Sequence, residues 1–168
     1  LSYKNTKPQL RRAAMTNHNL VLRHFRAEEF GKWWELMSPH LLLGLDAFRD
    51  QWGAPVVVSP SREALGRHDG DGRSQHNVDR WGEVRAADVF ARGLTGPRAA
   101  AKARRIAERV GFTGVGVYPQ ALPHAMLHLD WREGRTPSEP AEWTAVRNAD
   151  GGWDYAAPEL DQHAELYS

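Results

Sequence analysis

Between Pro39 and Trp52 the apolar positions recur every three or four residues. Leu41, Leu42, Leu45, Phe48 and Trp52 share one face, which predicts a helix over 39–52. Ser38 stands at its N-cap with Pro39 in the first turn, and Gly53 lies where a left-handed cap is favoured. An aromatic lead-in, Phe25, Phe30, Trp33 and Trp34, precedes it. A second helix opens at Gly96-Pro97, buries a stripe of Ala100, Ala103, Ile106, Ala107 and Val110, and stops at Gly111. Short β-branched or alternating runs predict strands at 54–59, 84–90, 114–118 and 126–131. The stretch 60–77 has no periodicity and holds Gly66, Gly70 and Gly72, so it reads as a long loop, a length that in compact domains goes with function. Near the C-terminus Trp143 to Val146, the turn signal Asn148 to Gly152, and then Trp153 and Tyr155 predict a hairpin.

These elements describe one α+β domain, an antiparallel sheet with flanking helices. We divide the chain into a flexible N-terminal segment (1–18), the main domain (19–135), and a hairpin and tail (136–168) packed on the same domain. A chain of 168 residues can bury a core of its own.

Composition narrows the chemistry. There is no cysteine, which excludes disulfides, thiolate metal sites, iron–sulfur clusters and a cysteine nucleophile. Lys and Arg number 22 against 21 Asp and Glu, for a net charge of +1, so no nucleic-acid partner is expected. No apolar run approaches the roughly 20 residues of a membrane span, and no apolar segment follows the polar N-terminus to make a secretory signal. No membrane partner is expected, and synthesis in the cytoplasm as a monomer is. Of the seven tryptophans, Trp34 and Trp52 read as core, whereas Trp81 in a polar stretch is a candidate for lining a glycan or peptide groove. Arg104-Arg105 and Arg11-Arg12 read as solvated faces.

Any metal must therefore be held by nitrogen and oxygen, and eight histidines make that worth pursuing. His76 ends the long loop, Asp88 interrupts an apolar strand pattern, and His128 sits in another. Two histidines and a carboxylate leave one tetrahedral position open, as a catalytic zinc site requires. Alternation puts Met126, His128 and Asp130, and His124 if the strand extends that far, on one face and Leu127, Leu129 and Trp131 on the other.

Arg62 after the first strand, Ser74-Gln75-His76, Ala86-Ala87-Asp88 and His128-Leu129-Asp130 occur in this order. In that order they resemble the zinc D-alanyl-D-alanine carboxypeptidase family, the hedgehog-like metallopeptidase fold, and its phage-encoded branch most of all. Arg23-His24-Phe25, Leu45 to Arg49 and Gly114 to Pro119 extend the resemblance, which spans about residues 22–132. It implies zinc held by His76, Asp88 and His128. It also implies that Arg62, helped by Ser74, binds the carboxylate end of a peptidoglycan peptide. The implied activity is hydrolysis of a cell-wall peptide bond, reached through a lysis event if the protein is phage-derived. Two features depart from the pattern. His76 and Asp88 lie twelve positions apart where the family has seven, which makes Glu83 a rival ligand. Ala125 stands where many members carry the general base, leaving Asp130, as base or as orienter of His128, and His124 as candidates. An L-alanyl-D-glutamate endopeptidase and a non-catalytic phage structural or binding protein remain alternative readings.

Overall fold

A computed structural model of the chain describes residues 17–158 and 163–167. The expected N-terminal segment thus lies outside the described residues up to position 16. Asn17, expected in that segment, is packed: its buried side chain donates to the carbonyls of Trp34 (2.6 Å) and Met37 (2.8 Å).

The described residues form a six-stranded sheet of β1 (Val56–Val58), β2 (Ala86–Ala91), β3 (Gly114–Tyr118), β4 (Met126–Asp130), β5 (Ala141–Arg147) and β6 (Trp153–Ala156). The strand order is β1-β2-β4-β3-β5-β6. The helices are α1 (Ala27–Phe30), α2 (Pro39–Trp52), α3 (Val78–Trp81) and α4 (Pro97–Val110). The architecture is therefore α+β, as expected. The sheet, however, is mixed: β5 runs parallel to β3, while the other pairings are antiparallel. β5 and β6 do form a hairpin, and that hairpin extends the sheet beyond β3. Among the described residues no helix is long and apolar enough to cross a membrane.

Strand alternation gives the sheet two unlike faces. Ala87, Val89, Val115, Val117, Leu127 and Leu129 point to one side and form the main core with Leu41, Leu42, Leu45 and Phe48 of α2 and Ala100, Ala103, Ile106 and Ala107 of α4. The small residues of α4 let it approach closely, and Gly44 of α2 does the same for the ring of Phe112, which a Cβ there would meet at 2.9 Å. Asp88, His128, Asp130, Tyr118 and Trp143 occupy the opposite face, where Tyr118, Ala121 and Ala145 make a smaller apolar cluster.

Arg104 is not solvated. It lies buried beneath the sheet and donates to the carbonyls of Val115 (3.1 Å) and Trp143 (2.8 Å) and to the hydroxyl of Thr144 (3.4 Å). One guanidinium thus ties β3 to β5, with Glu142 3.7 Å away to balance its charge. A buried cation needs such partners, and the apolar stripe of α4 cannot reveal them.

Candidate metal centre

His76, Asp88 and His128 converge from three segments. Asp88 and His128 are direct cross-strand partners on β2 and β4, so their side chains rise side by side from the same face. His76 arrives from the loop before α3. That loop is pinned by backbone bonds from Arg67 to His76 (2.9 Å), Val78 to Arg67 (3.0 Å) and Arg85 to Gln75 (3.0 Å). The fully buried Asn77 closes it further, its amide donating to the carbonyls of Gly70 and Gly72.

The facing atoms are His76 Nε2, Asp88 Oδ1 and His128 Nδ1. They stand 3.3 Å (His76 to His128), 3.6 Å (His76 to Asp88) and 2.9 Å (His128 to Asp88) apart. Tetrahedral zinc with ligand bonds near 2.0–2.1 Å requires donors about 3.3 Å from one another. The three atoms bracket that value, so the residues present fit a zinc ion, and the group can hold a metal. The outer nitrogens are fixed too. His76 Nδ1 donates to the carbonyl of Leu65, and His128 Nε2 donates to Asp130 Oδ2 at 2.8 Å. Such bonds set tautomer and ring orientation in metal-bound histidines.

Asp130 is fully buried, and both its oxygens are engaged: Arg132 donates to Oδ1 through Nε (2.9 Å) and to Oδ2 through Nη2. Its carboxylate therefore orients His128 from behind and does not face the cleft. Burial would raise the Asp130 carboxyl, but Arg132 and His128 outweigh it and hold it below the ordinary range. The same balance governs Asp88, where His128 and His76 overcome the effect of burial and keep the carboxylate ionised. Burial pulls His128 the other way, yet the bonds to Asp130 and Asp88 prevail and raise it to about 9. Without a metal, His128 is held as an imidazolium between two ionised carboxylates.

A cleft of about 640 Å³ opens over these atoms. Arg67, Arg73 and Ser74 line one side, Tyr118, Trp143, Trp153 and Tyr155 another, and Arg132 and Glu63 complete it. Gly116 permits the aromatic wall, because a Cβ there would overlap the Trp143 indole. That indole packs 5.1 Å from the His128 ring.

Four other sequence candidates lie elsewhere. Glu83 bonds Arg85 Nε at 3.0 Å and does not join the donor triad. His124 precedes β4 and packs edge-on against Phe90, centroids 6.1 Å apart, in a second cleft. Arg62 is exposed and does not line the cleft over the triad, whereas Ser74 does. Trp81 does not line it either: its indole donates to the Ser74 carbonyl at 2.8 Å and lies between the guanidinium groups of Arg80 and Arg85. The aromatic wall was missed in the sequence. Its signal was the two-residue spacing of Trp153 and Tyr155, which stand opposite Arg147 and Ala145 and so share the face of Trp143 once the strands are paired.

No family model, curated protein or solved structure matches this chain.

Proposed function

We propose that the chain is a zinc-dependent hydrolase of a peptide bond in bacterial cell-wall peptides, similar in chemistry to D-alanyl-D-alanine carboxypeptidases. The observation that carries this reading is the convergence of His76 Nε2, Asp88 Oδ1 and His128 Nδ1 at the floor of an open cleft. A zinc ion held there would polarise a scissile carbonyl and acidify water. The protein's own contribution is positioning. Asp130 and the Leu65 carbonyl hold the two imidazoles, and the arginines at the rim supply the forked donors that suit a peptide carboxylate.

Hydrolysis also needs a proton acceptor. Asp130 is spent on Arg132 and His128, and His124 lies in the other cleft. Among the described residues Glu63 is, apart from Asp88, the carboxylate that lines the cleft, and we assign it the general-base role. Glu63 also lies 3.5 Å from Arg67 and is largely exposed, which favours a second reading, a binding protein that keeps the metal but hydrolyses slowly.

Metal content by elemental mass spectrometry, on the wild type and on His76→Ala and His128→Ala, tests the centre. The expected result is one zinc per chain, lost in both variants. Digestion of purified peptidoglycan followed by mass analysis of the released muropeptides tests the activity, and separates a carboxypeptidase from an L-alanyl-D-glutamate endopeptidase. A zinc-loaded protein that releases nothing would overturn the hydrolase reading and leave the binding protein.

A further inference from the structure

The back of the molecule carries a second feature. Helix α4 turns Arg98, Lys102, Arg105 and Arg109 to solvent. At 3.6 residues per turn these four positions fall within a wedge of about 60°, and at 1.5 Å per residue they run about 16 Å along the axis. Among the described residues no carboxylate lies within ion-pair distance of them. The Lys102 ammonium donates to the Trp52 carbonyl at 2.7 Å and lies over its indole, so it is anchored there and the three arginines are the side chains left to meet a ligand. The concentration is local: α4 holds five basic residues and one acidic one, so acidic residues outnumber basic ones in the rest of the chain.

Helix stability accounts for Arg109, in the last turn of α4, but not for the start of the stripe. The first turn of α4 has no acidic residue and places Arg98 at the positive end of the helix dipole, where a cation is unfavourable. We infer that this face binds a linear phosphodiester polymer, an alditol-phosphate chain of the cell wall. The stepping of the charges, about 4.5–6 Å apart along one line, suits successive phosphates on an extended chain better than a flat surface. The stripe has Ala99 and Ala101 beside it and no aromatic side chain within it to stack a base, so single-stranded nucleic acid gains nothing beyond its charge. α4 exposes no large apolar side chain to enter a lipid layer. α4 covers the sheet face opposite the metal cleft, so the polymer would tether the protein without obstructing that cleft.

The choice of polymer rests on the cell-wall reading, but the binding assay requires neither metal nor hydrolysis, so the two ideas fail separately. The full chain is titrated with synthetic poly(glycerol phosphate) across a salt series. Binding should weaken steeply with salt. An Arg98→Gln/Arg105→Gln/Arg109→Gln variant should bind at least about tenfold more weakly, with the log–log salt slope reduced by about 2, as for three phosphate contacts on a single strand. The corresponding Arg→Lys triple variant should retain most of the affinity, with zinc content equal in all three proteins. Any of three results would overturn the proposal: no binding at the lowest salt, binding untouched by the Gln variant, or tighter binding to an oligodeoxynucleotide of equal charge or to anionic phospholipid vesicles.

Discussion

Gly114 and Asp130 are cross-strand partners on β3 and β4, and the Asp130 carboxylate occupies the space that a side chain on Gly114 would take. The absence of a single methyl group is thus what allows the acid to stand behind His128. Gly114→Ala should displace that carboxylate. The expected result is a 10–100-fold loss of zinc affinity, the range typical of lost outer hydrogen bonds to metal ligands, measured by competition with a chromophoric chelator. Asp130→Asn should fall in the same range while keeping the shape. Unchanged affinity in both would mean that His128 is oriented by its packing alone.

Metal-free protein should lose stability on the alkaline side. His128 is raised to about 9, so its contribution is complete below its unfolded value near 6.5 and disappears as pH rises through about 9. The contribution is at most about 3 kcal/mol. Asp88 and Asp130 are lowered, so theirs is present above about pH 4 and lost in acid. Chelator-treated protein should therefore melt highest between about pH 4 and 6.5. Zinc must displace the proton on His128, so its affinity rises across the alkaline window and the gap in Tm between loaded and metal-free protein widens. A gap that stays constant from pH 6.5 to 9 would contradict this account.

Replacing Glu63 with Gln should lower kcat by about 10²–10⁴ if Glu63 takes the proton from water. Zinc content and Tm should stay at wild-type values, because the side chain is largely exposed. Wild-type turnover in the variant would remove Glu63 from the reaction.

Arg104→Leu should cost about 2–4 kcal/mol, since it leaves buried carbonyls on two strands without their donor. Hydrogen exchange should then accelerate in β5 before it does in β2 or β4. Uniform acceleration across the sheet would show that the guanidinium supports the whole core rather than the β3–β5 seam.

Arg98→Glu should stabilise the fold by about 0.3–1 kcal/mol, by placing an acid at the positive end of α4. The thermal midpoint would rise while binding to poly(glycerol phosphate) fell. A variant that loses both would show that Arg98 serves the helix after all.

Local signals carried most of the fold. The caps at Ser38, Pro39 and Gly53 bound α2 where the periodicity placed it, and β3 spans 114–118 as expected. Each rests on neighbours in sequence. The parallel seam between β3 and β5 joins segments separated by all of β4, and no residue pattern encodes it. The same distinction runs through the site. His76, Asp88 and His128 could be named from residue type and alternation, while the two proposed bases could not be sorted. Asp130 shares the His128 face but aims at the outer nitrogen, because Gly114 opens space there. His124 falls before β4 begins, so alternation does not apply to it.

The three donor residues lie on β2, β4 and the loop before α3, whereas most of the aromatic wall belongs to the β5–β6 hairpin at the sheet's end. The group that can hold a metal and the surface that faces an incoming molecule are therefore encoded in separate stretches of the gene. Exchange or drift of the segment 141–156 could alter which molecules are admitted without moving a donor atom, giving this architecture a way to diversify in selectivity while its donor geometry stays constant.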